Sequence, residues 1–244
     1  FSTDEAIGFY SYGQKTVNIV LTMCSAVTAT FLPRLSFYFE NDRKGFYRLL
    51  DKGFQILCFA VVPLAVGLFL LADQAVILLY GKNFAPAGFT IRLMCPLIII
   101  KGFGDLLCYQ LAYSSKNEKI LLPASALASI INVTINAILI PLYAQNGAVI
   151  ASVLSEFVTN TIQLLYLKKK VKYLFNKKSM LLALISTIVM VVVIQVFMQL
   201  KLPLVFSLGL EVIGGVSCYF IINVMAQNRI LFDLLDKMKN KLKK

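Results

Sequence analysis

The 244-residue sequence contains no histidine, which removes imidazole acid–base catalysis and His-ligated metal sites. It has no glycine-rich loop followed by Gly-Lys-Ser/Thr, the arrangement that cradles nucleotide phosphates, so no ATPase module is expected. Acidic residues number 12 against 24 lysines and arginines. No loop gathers enough of them to hold the metal-bound diphosphate that a membrane glycosyltransferase needs. The five cysteines (Cys24, Cys58, Cys95, Cys108, Cys218) lie inside apolar runs without Cys-x-x-Cys spacing. They read as small core hydrophobes rather than ligands or disulfides. No metal site, no cofactor and no enzymatic centre is expected.

What the sequence has in excess is apolar length. It is 59% hydrophobic with a mean hydropathy of +0.78, above the roughly 45–50% apolar content of soluble domains. Arranged in long blocks, this composition implies an all-α, polytopic membrane helix bundle. The net charge of +12 would suggest nucleic acid in a soluble protein. Here the charge is confined to loops and the tail, and no nucleic-acid partner is expected.

Seven blocks, at about 6–32, 53–72, 93–113, 120–140, 147–167, 180–200 and 204–225, reach spanning length, for which a bilayer requires roughly 20 residues. The segments between them alternate in charge. Those at 33–52, 114–119 and 168–179, with the tail, hold nineteen basic residues against two in the remaining segments. By the positive-inside rule the rich segments are cytoplasmic, placing the N-terminus of this segment outside and the C-terminus inside. Residues 73–88 read as an outer-surface helix and loop. In the tail, Ile230, Leu234, Met238 and Leu242 recur at intervals of four beside lysines. This spacing fits a basic amphipathic helix on the anionic lipids of the inner leaflet. The opening FSTDEAIGFY carries no initiator Met and reads as a loop running into a helix of a longer protein.

Within the spans, ionisable and amide groups are costly and therefore informative. Asn132 and Asn136 are four apart on one helix face. Glu156 lies near the centre of the fifth block, as a carboxylate facing a cavity or one buried with hydrogen bonds. Lys101 and Asp105, also four apart, either neutralise each other or line a cavity. Pro96, Gly102 and Gly104 on the same helix suggest a bend or break beside that cavity. Lys15, accompanied by Gln14 and Asn18, either snorkels outward or faces a lumen. Arg92 reads as an interfacial anchor, and Glu211 as a helix-packing or rim residue. The inventory suits a transport path better than a reaction centre.

Three stretches resemble polysaccharide (O-antigen repeat-unit) flippases of the MOP superfamily. They are IGFYSYGQKTVNIV…ATFLPRLS in the first span, LLYGKNFAPAG after the second, and INVTINAILIPLYAQNGAVIASVLSE. In the last, a glycine usually follows the tyrosine, where this chain has Ala144. The resemblance covers essentially the whole chain and implies helices eight to fourteen of a fourteen-helix transporter. Residues 1–167 would form most of its second lobe, 168–225 two additional helices, and 226–244 a cytoplasmic tail. It implies a protein of the bacterial cytoplasmic membrane that translocates undecaprenyl-diphosphate-linked oligosaccharide repeat units, with polysaccharide assembly proteins as candidate partners. In related lipid II flippases a cation near the start of the eighth helix contacts the diphosphate, and Gln14 and Lys15 flank the equivalent place. The rival readings are a drug/cation antiporter of the same superfamily, favouring an acidic aromatic pocket, and a membrane glycan transferase, which would need a large outer loop.

Overall fold

The structure, a computed structural model, describes residues 3–171, 177–200, 202–228 and 230–233. Helices account for nearly all of them, with no strand among the described residues. Helix α1 spans Asp4–Ala29 and starts cleanly because Thr3 Oγ1 accepts from the Ala6 amide at 3.3 Å. The short α2, Leu32–Asn41, carries Pro33 in its first turn, where no amide hydrogen is required. Asp42 caps α3, Arg43–Tyr80, by accepting from the Lys44 amide at 3.0 Å. Gly81, at a φ of 91°, ends α3. A 3₁₀ turn at Lys82–Phe84 then leads into α4, Ala87–Gly104.

Residues 73–80, expected as part of a separate outer-surface element, instead continue α3 as one helix. Nothing between Leu71 and Tyr80 breaks the pattern, and the first glycine comes at Gly81. At 38 residues α3 extends about 57 Å, well beyond the roughly 30 Å of a hydrocarbon core. It is thus long enough for its basic first turns and its last turns to reach the headgroup zones on either side.

The interruption expected beside Pro96, Gly102 and Gly104 takes a specific form. A π turn occupies Asp105–Gln110 and is followed by α5, Leu111–Ser114. Helix α6, Leu121–Val171, consists of two helical halves that meet at Ala144, whose angles of φ 47° and ψ −127° are non-helical. The chain reverses there. Asn132 Nδ2 donates to Ser155 Oγ at 3.0 Å across 23 residues, a separation of about 35 Å in a straight helix. Pro141 precedes the reversal and Gly147 follows it, so the two halves form an antiparallel hairpin. Its tip is tied to α4 by Thr90 Oγ1 donating to Asn146 Oδ1 at 3.0 Å.

A positive φ in a residue with a Cβ costs about 1–3 kcal/mol, and Ala144 has one, at 47°. Ala144→Gly should therefore raise the thermal stability of the purified protein, by about 1 kcal/mol after the added unfolded-state freedom of glycine is subtracted. A melting temperature that stays level or falls would argue against strain at this turn.

Helices α7, Lys177–Met198, and α8, Leu204–Met225, pack on each other and lean on α3. Helix α4 is the central post, touched by α1, α3 and α6. Leu50, Leu57 and Val61 of α3 are buried with Ile91, Met94 and Ile98 of α4. In lipid such packing is held by close atomic contact rather than by release of water.

Among the described residues, five helical stretches are long and apolar enough to cross a membrane: Asp4–Asn41, Arg43–Tyr80, Glu118–Val171, Lys178–Met198 and Leu204–Met225. Seven were expected. The difference has two sources. The 120–140 and 147–167 blocks fall within one helical stretch, and the 93–113 block is divided among α4, the π turn and α5. Of the expected tail helix, Ile230 is described and buried; Leu234, Met238 and Leu242 lie outside the described residues.

Candidate functional site

Helices α1 and α4 and both halves of α6 surround a polar cavity of about 410 Å³. A second space of about 620 Å³, bordered by Asp105, Tyr109, Asn160 and Gln163, shares part of its lining. Lys101 and Glu156 line both. They pair directly, Lys101 Nζ to Glu156 Oε1 at 2.7 Å, with side chains 43% and 33% exposed. This pair joins α4 to the second half of α6. Partial exposure to the cavity lets water share the solvation of both charges, which a fully buried pair forgoes.

Lys101 and Asp105 therefore do not form the mutual ion pair that their spacing allowed. Asp105 accepts from Thr28 Oγ1 of α1 and from Gln110 Nε2 at 3.5 Å. Glu156 lies on the cavity wall with a cationic partner. Asn132 lines the cavity too, while Asn136 stands behind it, donating through Nδ2 to Asn132 Oδ1 at 2.9 Å. The two amides and Ser155 form one chain of hydrogen bonds across the hairpin.

On α1, Gln14 and Asn18 line the cavity. Lys15 lies outside the lining of both spaces and places its ammonium over the Tyr12 ring at 4.9 Å from the centroid. A helix turns about 100° per residue, so the one-residue offset between Gln14 and Lys15 decides which faces inward. Arg92, read as an interfacial anchor, pairs with Asp73 near the end of α3.

The hydroxyl residues were overlooked. Ser125, Ser129, Ser152 and Thr159 share the lining. Three of them satisfy their own O–H on a carbonyl one turn back: Ser129 on Ser125, Ser152 on Ala148, Thr159 on Ser155. Their lone pairs remain to accept hydrogen bonds from a polar cargo. The signal was available as spacing: Ser125, Ser129 and Asn132 form one helical stripe, and Ser152, Glu156, Thr159 and Gln163 form the facing one. Counting Ser and Thr merely as small residues hides both.

The fold and cavity define a class: an all-helical, multi-pass membrane protein with one cation–carboxylate pair set among amide and hydroxyl groups. Comparison with known proteins supplies the family. The family model described as "Lipid II flippase MurJ" matches residues 4–216, and the chain belongs to that family. Its membership among flippases agrees with the expectation of a transporter rather than an enzyme.

The probable low-salt glycan biosynthesis flippase Agl15 of Haloferax volcanii is 20% identical over 191 residues, covering 78% of this chain and 40% of that protein. A solved structure, the lipid II flippase MurJ in its inward closed conformation, superposes with a TM-score of 0.78 at 18% identity. The superposition covers 92% of this chain and 48% of that one, and at this identity it shows a shared fold. The chain spans about half the length of these relatives or less.

Proposed function

We propose that this chain is the second half of a flippase that moves oligosaccharide repeat units, linked to undecaprenyl diphosphate, outward across the bacterial cytoplasmic membrane. The observation that carries the reading is the Lys101–Glu156 pair on the wall of a polar cavity inside apolar helices. Sugars and a diphosphate need hydrogen-bonding groups and a cation along their route, while the isoprenoid tail can stay in lipid. Lys101 offers the positive charge. Gln14, Asn18, Asn132 and the hydroxyl stripes offer the sugar contacts, and Glu156 keeps Lys101 in place between cargoes. An inside-negative potential favours outward movement of the anion by roughly 2.3 kcal/mol per charge per 100 mV.

In this reading the membrane is crossed seven times: by α1, by α3, by α4 with its π turn, by each half of α6, and by α7 and α8. The basic loops face the cytoplasm, the N-terminus of the segment faces outward and the C-terminus inward. Residues 1–167 form most of one lobe, 168–225 an additional helix pair and 226–244 a cytoplasmic tail on anionic lipid. Asp105 borders the route through the second space, and Lys15 stands beside it on α1, one residue from the lining Gln14. The mixed charge of the wall weighs against a cation antiporter. The family match favours a closely related cargo, lipid II itself, which would use the same cation for its diphosphate.

Two bacterial strains separate these cargoes. The full-length protein should restore surface polysaccharide in a strain lacking its own repeat-unit flippase, where lipid-linked units otherwise accumulate inside. Rescue confined to a strain depleted of its lipid II flippase would assign lipid II as cargo. Failure in both, with normal abundance in the membrane, would end the flippase reading.

A further inference from the structure

Helix α8 holds a carboxylate with no cation beside it. Glu211 is fully buried, at 0% exposure, about two turns into an otherwise uncharged helix. Its Oε1 accepts from Gln74 Nε2 of α3 at 3.1 Å and from Ser207 Oγ at 2.6 Å. Its Oε2 has no partner, and neither does Oε1 of Gln74. These are two buried acceptors on two side chains already in contact. Buried acceptors without donors are rare in folded proteins, and a bare carboxylate in such surroundings is costlier still.

The charged groups nearby do not remove the deficit. On α3 the neighbouring Asp73 is paired with Arg92 of α4. Between Ser179 and Met198, α7 carries no Asp, Glu, Lys or Arg, and α8 carries none besides Glu211. The other titratable groups of α8 are Cys218 and Tyr219, whose hydroxyl donates to the Phe59 carbonyl. Among the described residues, no lysine or arginine forms an ion pair with Glu211.

A carboxylic acid and a carboxamide are complementary along one edge: N–H meets one oxygen, and the acid O–H meets the amide oxygen. The first half of that ring is present as the Gln74 Nε2 to Glu211 Oε1 contact. We propose that Glu211 is a proton-binding site, in which one proton taken from water bonds to Oε2 and is donated to Gln74 Oε1. Exchanging the oxygen and nitrogen of Gln74 leaves the same deficit of one proton, so the inference does not depend on the amide's orientation.

The proton fastens α8 to α3 where both border an apolar groove of about 460 Å³, lined by Leu71 and Ala75 on one side and Leu208 and Val212 on the other. Its departure leaves an uncompensated charge in that seam. The site is thus separate from the Lys101 cavity, and its occupancy bears on how the α7–α8 pair is held.

The test uses full-length protein in lipid nanodiscs. Infrared spectra at neutral pH should contain a protonated carboxylic C=O band that shifts in D₂O, is absent from Glu211→Gln and changes frequency in Gln74→Leu. Because Gln resembles the protonated acid, Glu211→Gln should melt within about 2 °C of the wild type, and Glu211→Ala at least about 4 °C lower. If Glu211→Gln does not fold, the band in the wild type and its response to Gln74→Leu decide the matter. Absence of the band, or its indifference to both substitutions, overturns the proposal. So does a melting temperature that sodium raises in the wild type but not in Glu211→Gln, which would make the occupant a metal cation.

Discussion

Replacing Lys101 with Met in the full-length protein should reduce export at least tenfold, about 1.4 kcal/mol in differential binding, with membrane abundance near wild type. Glu156→Gln should also impair export, because it releases the ammonium from the position set by the 2.7 Å contact. The informative variant is the double, Lys101→Met with Glu156→Gln. A purely structural ion pair predicts recovery when both charges go, since each single change strands one charge in a poorly hydrated place. A cation that meets the cargo predicts no recovery, because the double still lacks it. We expect the double to be as poor as Lys101→Met. Recovery to near wild-type export would reduce the pair to a helix staple and remove Lys101 from the route.

A second large effect is expected at the hairpin. A Cβ on Gly147 would lie 2.2 Å from the Leu139 carbonyl oxygen and 2.5 Å from its carbon. Those are backbone atoms of the opposing half of α6, so no side-chain rotation relieves the clash. Gly147→Ala should force the halves apart, costing about 1–3 kcal/mol or more and weakening the Asn132–Ser155 hydrogen bond across them. The expected outcome is a clear fall in membrane abundance or melting temperature, deepened by Gly147→Leu. Normal abundance and stability for both variants would mean that the halves do not approach as closely as described.

How much of this was written in the chain depends on the range of each interaction. Asn132, Asn136 and Glu156 stood out because an amide or carboxylate in an apolar run is conspicuous without knowledge of its neighbours. The membrane character and the reversal near Pro141 were legible for the same local reason. The partner of Lys101 was not. Asp105 was the nearest acid on the same face, whereas Glu156 lies 55 positions away on another element, and only packing brings it close. Lys15 stands one residue from the lining Gln14, an offset that helical geometry turns into a change of face. Glu211 reads as either a helix-packing or a rim residue, because sequence shows its depth along α8 but not that its face meets Gln74. The count of long apolar stretches differs from seven because the two halves of α6 fall within one stretch and the 93–113 block is divided among α4, the π turn and α5.

The π turn at Asp105–Gln110 has a consequence for ancestry. A π turn holds one residue more than the α turn it replaces, and a single-residue insertion in a helix produces such a bulge without disturbing the helix on either side. Relatives with an unbroken α-helix here should align with a one-residue gap in the middle of a membrane helix, a place where gaps are ordinarily penalised. Forcing such sequences into ungapped register would rotate everything beyond the bulge by about 100°. Tyr109 and Tyr113 would then be compared with residues from a different face, and the two proteins would look more distant than their shared architecture makes them.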